Sequence, residues 1–337
     1  MYASKNALRM TAIGLAVGTS FILFQPQLAE ATSTTCQISQ LPVPDGTWRS
    51  DVTAGDPTGT YLVGEAAVGA GTESRLVPLL WINSRLVDFT TPYASATLVD
   101  VNASGTVLGM SSDAGATFAW RYRDGRFTRL PGLLATDATR AVALNGRGDA
   151  VGYADDTTTG PPDQRTDMVL WPADRPDKVR NVSVPGPTTL LDIDDDGTIV
   201  GVGAGPEPAS QRSYRWRLGE TPHVLSSPSG ATDIAVIAIR NGWIAGYENV
   251  FPVNAFARNL RGRGVNQVAG LGAPYSGNGR GDLGLFAAIA HRGGSVVTLP
   301  GLGTGTAQAP RVLSDDGRAA GFANDGSQVH AVTWQGC

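Results

Sequence analysis

Short apolar runs separated by Gly- and Asp-rich turns fill the chain from about residue 50 onward. The apolar positions alternate with polar ones, the period-2 pattern of strands with one buried face. One motif recurs: an apolar strand, a turn ending in Gly, three residues, then a second Gly. It reads "DVNASGTVLGMS" (100–111), "ALNGRGDAVGYA" (143–154), "DIDDDGTIVGVG" (192–203), "AIRNGWIAGYE" (238–248) and "VLSDDGRAAGFA" (312–323). "GNGRGDLGLF" (277–286) is one residue short and "AGDPTGTYLVGEA" (54–66) one residue long. The second glycines, Gly64, Gly109, Gly152, Gly201, Gly246, Gly284 and Gly321, are 37–49 residues apart. They mark either a close approach of strands or a backbone with positive φ.

Each glycine pair is followed by an alternating run that ends on an aromatic residue: Trp81, Trp120, Trp171, Trp216 and Trp334. In two copies, "AFARN" and "AIAH", Asn259 and His291 stand at that place. A polar turn and one more strand follow, as in "RDGRFTRLPGL" (123–133) and "RGGSVVTLPGL" (292–302). The repeating unit is therefore four short strands. Units of this length and content predict the blades of an all-β propeller, with the tryptophans packed between neighbouring blades. Seven glycine anchors predict seven blades; the irregular stretch 246–308 leaves six as the alternative count.

The last unit has only three strands before the chain ends at "HAVTWQGC" (330–337), and "CQISQLPVPDG" (36–46) reads like the missing fourth. The N-terminal strand is thus expected to complete the C-terminal blade and close the ring, which removes open sheet edges. The chain has two cysteines, Cys36 and Cys337, and both fall where the third strand of this blade meets the fourth. In an oxidising compartment such a pair reads as a disulfide. On the chain-entropy model a loop of this length contributes about 5 kcal/mol.

Composition sets the compartment. Residues 1–31 carry a basic leader (Lys5, Arg9), an apolar run of 15 residues and "AEA" at 29–31, the layout of a secretory signal peptide. The rest, 32–337, is expected to be a single secreted, extracellular propeller domain, with no membrane span once the signal is removed. Without Lys5, Arg9 and Glu30, 24 basic and 29 acidic residues remain, a net charge near −5. Such a balance argues against nucleic acid as a partner. The turns "NGRGDAVG" (145–152) and "NASGTVLG" (102–109) and the strand "HAVTW" (330–334) resemble the bacterial extracellular HAF-repeat proteins, over residues 49–337. That resemblance implies a secreted repeat fold and no particular activity.

Candidate chemistry is sparse. Asp192, Asp194, Asp196 and Gly197 have a D-x-D-x-D-G spacing that can wrap Ca²⁺, but the twelfth position is Gly203 and not a bidentate Glu. The competing reading is hairpin-turn chemistry. The two Arg-Gly-Asp triplets, 147–149 and 280–282, fall in the same turns. No nucleophile elbow, HExxH or phosphate-binding loop is present. The loops between second and third strands are long at 65–75, 154–166 and 203–213. Variable loops on a rigid scaffold are where recognition sits. Glu73, Arg75, Asp155, Asp156, Arg165 and Arg212 are the ligand-binding candidates this suggests. The chain reads as a monomeric binding module for a cell-surface polymer or protein, without a required cofactor. The alternative is a secreted hydrolase or lyase acting on carbohydrate.

Overall fold

The computed structural model describes residues 35–71, 74–113, 115–158, 165–207 and 210–337, so the expected signal segment lies outside the described residues. Among them are 28 strands and no α-helix. β1 is Gln37–Gln40. The chain then lays strands down in fours. They are β2–β5 (Thr47–Gly55, Tyr61–Val68, Arg75–Ile82, Arg85–Val87), β6–β9 (Thr97–Val101, Val107–Asp113, Ala116–Arg123, Arg126–Arg129) and β10–β13 (Ala138–Leu144, Ala150–Asp155, Thr166–Trp171, Arg180–Asn181). Next come β14–β17 (Thr189–Ile193, Ile199–Ala204, Gln211–Trp216, His223–Val224), β18–β21 (Ile234–Arg240, Trp243–Glu248, Asn254–Asn259, Val265–Ala269) and β22–β25 (Ser276–Gly277, Leu283–Leu285, Ala288–Ala290, Val296–Thr298). β26–β28 (Gln308–Leu313, Ala319–Asn324, Val329–Gln335) end the chain.

Five of the fours are separate antiparallel sheets. β2–β5 and β26–β28 share an eight-stranded sheet with β1. β1 pairs antiparallel with β28, from Gln37 opposite Gln335 to Gln40 opposite Val332. The N-terminal strand does supply a fourth strand to the C-terminal three. β28 meets β2 through a single parallel pair, Arg49 opposite Val329. The Cys36–Cys337 disulfide closes a separation of 301 residues at the end of the β1–β28 pairing.

The two glycines of the motif do different work. The first permits the turn: Gly148 has φ +93°. The second lets strands approach: a Cβ on Gly152 would run into the Arg140 carbonyl and, at 2.8 Å, the Trp171 ring. Of the two reasons the sequence left open, close approach is the one that holds at this second position.

Six of the seven hydrophobic clusters are shared by two neighbouring sheets, and the seventh joins the two halves of the eight-stranded sheet. Leu108, Ala119 and Leu130 pack against Ala150, Val169 and Trp171. Leu41, Val312 and Ala331 from the two chain ends pack against Val52, Leu79 and Trp81. Trp81, Trp120, Trp171, Trp216 and Trp334 are all among the most deeply buried side chains. Four of their indole N–H groups also act as pins, three from one sheet to the next and that of Trp81 between the two halves of the eight-stranded sheet. Trp81 donates to the Pro42 carbonyl (2.7 Å), Trp171 to Pro131 (2.8 Å), Trp216 to Val182 (3.0 Å) and Trp334 to Pro300 (2.9 Å). Pro42, Pro131 and Pro300 belong to the "LPVP" and "LPGL" segments, so two separate sequence signatures meet in one bond.

The register corrects the alignment of two copies. Gly246 pairs with Phe256, which puts Arg258, and not Asn259, at the aromatic position. The Arg258 guanidinium donates to the Ser226 carbonyl at 2.8 Å and so replaces the indole pin. Trp120 pairs directly with Gly109, two residues earlier than the other tryptophans, and donates to the Ser111 hydroxyl instead (2.9 Å).

Candidate functional site

The first strands β2, β6, β10, β14, β18, β22 and β26 lie against one another in that order, and β26 lies against β2. In six of them the ladder slips at the same place, between Val52 and Ala54, Leu98 and Asp100, Ala141 and Ala143, Leu190 and Asp192, Val236 and Ala238, and Pro310 and Val312. A β-bulge re-aims the side chains beside it. The residues at and after these bulges line a central cavity of about 240 Å³. A second chamber of about 240 Å³ follows on the side of the Gly turns. Asp100, Asp192 and Arg240 line both chambers and form the neck between them.

The two aspartates are held alike. Asp100 accepts the Val101 N–H on one oxygen and the Leu144 N–H on the other, both at 2.8 Å. Asp192 accepts the Ile193 and Ile239 N–H groups, also at 2.8 Å. Each carboxylate oxygen has a second lone pair not used by these bonds. Burial pushes the Asp100 carboxyl up to about 6, against the two N–H bonds and the Arg240 charge. Burial pushes Asp192 up to about 7; the Asp100 charge adds to this, while the Ile239 N–H and Arg240 oppose it. Arg240 reaches across to the Gly55 carbonyl (3.4 Å) and makes no ion pair within 4.0 Å among the described residues. In the first of these chambers the Arg311 guanidinium lies 5.2 Å from the Tyr275 ring. Its Nε is 3.9 Å from Asp51. Burial raises the Asp51 carboxyl to about 6, against the pull of Arg311.

The repeat itself shows that the fold does not need these charges. In register, the positions equivalent to Asp100 and Asp192 are Ala54, Ala143, Ala238, Gly277 and Val312. The turn heads elsewhere are Asp56, Asn102, Asn145, Asp194, Asn278 and Ser314, and Asn102, Asn145, Asp194 and Asn278 link one turn to the next. Asn102 donates to the Asn145 carbonyl (3.1 Å) and Asn145 to the Asp194 carbonyl (3.2 Å). Arg240 stands where such a linker would be.

The residues expected to bind ligand lie elsewhere. Glu73 is outside the described residues. Arg75 is exposed at the start of β4. Asp155 is spoken for by Arg140 (2.6 Å) and Thr166 (2.8 Å). Asp156 accepts from Thr158 (2.6 Å), and Arg165 pairs with Asp137 (3.1 Å) and Asp167 (2.7 Å). Arg212 sits on β16 with a buried Nε that has no partner. None of the described ones lines either chamber. A depression of about 610 Å³ beside the 203–213 loop, lined by Thr188, Glu207 and Gln211, also lacks the five described ones. The three aspartates singled out for calcium diverge: Asp192 faces the neck, while Asp194 and Asp196 share Arg261 at 2.8 Å each. No group of three or more metal-ligating side chains occurs among the described residues. Both Arg-Gly-Asp triplets are closed on themselves, Arg147 to Asp149 at 2.9 Å and Arg280 to Asp282 at 3.2 Å.

Solved structures share the architecture. The chain is similar to the β-propeller domain of the Trilobed protease from Pyrococcus furiosus, with TM-score 0.58 and 10% identity over 86% of this chain and 95% of that one. The chain has a β-propeller fold. It is also similar to the Pyrococcus horikoshii acylaminoacyl peptidase (TM-score 0.55, 10% identity, 84% of this chain). A puromycin hydrolase matches with TM-score 0.53 and 15% identity over 82% of this chain. The match covers 50% of each of those two chains. At such identities the likeness concerns the fold alone. No protein-family model matches the sequence, and no curated protein does. The disulfide is consistent with a protein outside the cytoplasm, and among the described residues no helix is long and apolar enough to cross a membrane.

Proposed function

We propose that this is a secreted binding module of the HAF-repeat kind, a seven-bladed ring that holds a small polar ligand at the neck of its channel. Two facts support seven blades. The first strands follow one another cyclically, and the eight-stranded sheet has a single parallel pair at its middle. We read that sheet as two blades, the last one completed by β1. The observation that carries the binding function is the neck itself. Two carboxylates and a guanidinium occupy positions that the other repeats fill with Ala, Gly, Val or a turn linker. Burying such charges costs several kcal/mol per ion before compensation, and perturbed carboxylates gathered in a cavity mark functional sites.

The groups on offer suit a ligand rich in hydroxyls. The carboxylates have spare lone pairs, Arg240 has spare donors, and Tyr275 supplies a ring face above them. Ligand-observed NMR with neutral and amino oligosaccharides, peptidoglycan fragments included, tests the reading. Saturation transfer is expected with the native chain and lost in the Asp100→Ala/Asp192→Ala variant. Equal transfer in both would overturn it. One observation favours the second reading, a carbohydrate-active hydrolase or lyase: carboxyls near 6 and 7 are poised for general acid–base work at neutral pH. Product formation in the same samples, absent from the variant, would decide for the enzyme.

A further inference from the structure

A second concavity, separate from the channel, lies between the β6–β9 and β10–β13 sheets on the side of the Gly turns. It has a volume of about 320 Å³ and is lined by Arg121, Arg123, Arg126 and Asp124, with Thr106 and Thr128 beside them. We propose that it is a binding site for an acidic saccharide, whose carboxylate or sulfate is taken by the three arginines.

Arg121 is the anchor. It is carried by β8 and is only 5% exposed. Its Nη2 donates to the Trp171 carbonyl (3.1 Å) and its Nη1 reaches the Pro172 carbonyl at 3.4 Å. Its Nε is buried and has no partner. Carbonyls satisfy hydrogen bonds but do not neutralise the charge. The carboxylate whose charge supports it, Asp149, already accepts from Ala173 N (2.9 Å), Asn145 Nδ2 (3.1 Å) and Arg147 (2.9 Å). Arg126 has no carboxylate partner among the described residues. Arg123 has only Asp124, at 3.4 Å and largely exposed. Three cations therefore surround one cavity with one acid among them.

The fold does not ask for a cation at this place. Arg121 pairs with Leu108, and the equivalent residues are Leu80, Leu170, Ala257, Ala290 and Thr333, with an arginine again only at Arg215. A buried cation without a counterion is stabilised by a bound anion. Guanidinium forks match the planar carboxylate and the sulfate oxygens. The Thr128 hydroxyl can meet sugar hydroxyls, and Ala173 with Pro176 forms an apolar wall for a ring face. The volume is at the small end of ligand pockets, enough for about one or two sugar rings.

Calorimetry on the full chain tests this with a glucuronate-containing disaccharide, a sulfated disaccharide, the neutral parent disaccharide and sodium sulfate. At least one acidic saccharide is expected to bind, and to bind about ten-fold or more tighter than both the neutral sugar and free sulfate. Which one does identifies the anion. Arg123→Gln and Arg126→Gln change exposed side chains and leave the packing alone. Each is expected to weaken binding several-fold, and raised salt to weaken it further. The Asp100→Ala/Asp192→Ala variant is expected to bind as the native chain does, which separates this site from the channel. Failure of both acidic sugars to bind, equal binding of inorganic sulfate (an adventitious ion only), or unchanged binding in both arginine variants would overturn the proposal.

Discussion

The neck aspartates should make stability fall as pH rises. Burial raises the folded-state values to about 6 for Asp100 and about 7 for Asp192, from 3.8 for an unperturbed group. The folded protein then holds more protons than the unfolded chain between these limits. The stabilisation is present at low pH and is lost as pH climbs through the folded values. Each tenfold difference in proton affinity between the folded and unfolded chain is worth about 1.4 kcal/mol. Between pH 5 and pH 8 the loss is then about 3 kcal/mol for Asp192 and about 1 kcal/mol for Asp100. Asp51, also raised to about 6, contributes about 1 kcal/mol in the same direction. Carboxyls held low by their partners, such as Asp155 and Asp282, act below pH 4 and do not enter this window. The informative perturbation is Asp100→Ala/Asp192→Ala. Alanine is what the repeat itself places there at Ala54, Ala143 and Ala238. Guanidinium unfolding followed by tryptophan fluorescence at pH 5, 6.5 and 8 gives the slope. The native chain is expected to lose about 5 kcal/mol over the range, and the variant only the ~1 kcal/mol of Asp51. Parallel slopes in the two proteins, or stability rising from pH 5 to pH 8, would refute the account of the neck as a costly, buried acid pair.

Other outcomes follow from the closure and the pins. Replacing Cys36 and Cys337 by Ser removes a link across 301 residues. The expected loss is up to about 5 kcal/mol, on the chain-entropy model, with near-UV circular dichroism unchanged because Leu41 and Trp81 still hold β1. Intact mass without reductant should show the native chain two hydrogen atoms lighter than its two-thiol form. Trp171→Phe keeps most of the packing but leaves the Pro131 carbonyl without its donor, for a cost of about 1–3 kcal/mol seen as a lower thermal midpoint. Gly152→Ala forces a methyl into the Arg140 carbonyl and is expected to cost more than Gly148→Ala; equal losses would count against strand approach as the reason for the second glycine.

The repeat determined a good deal of this protein by itself. Alternation and paired glycines are local signals, and they were enough for strand order, the four-strand unit and the burial of the tryptophans. The borrowed strand and the disulfide were legible too, since a unit lacking one strand and a terminus resembling it are both visible in the chain. Alignment alone failed where register shifted. Arg258 and Trp120 took unexpected places because pairing, not spelling, sets which residue faces the next sheet. The site was hidden for a related reason. Asp192 stood out as one of three carboxylates in a turn, and Asp100 did not stand out at all. Lined up across the repeats, the Asp among Ala, Gly and Val could have been seen, and so could Arg240 among the uncharged or acidic Asn, Asp and Ser turn heads. What no sequence pattern states is where those positions point. Bulges in the first strands turn them toward a common axis, and only the assembly of strands from seven distant segments brings Asp100, Asp192 and Arg240 to one neck. The long loops drew attention through their length and variability, but most of their charges were already satisfied by neighbours. Tertiary structure decided the site because burial and proximity, which make a carboxylate reactive or a cation hungry for a partner, are properties of the folded surroundings and not of the residue.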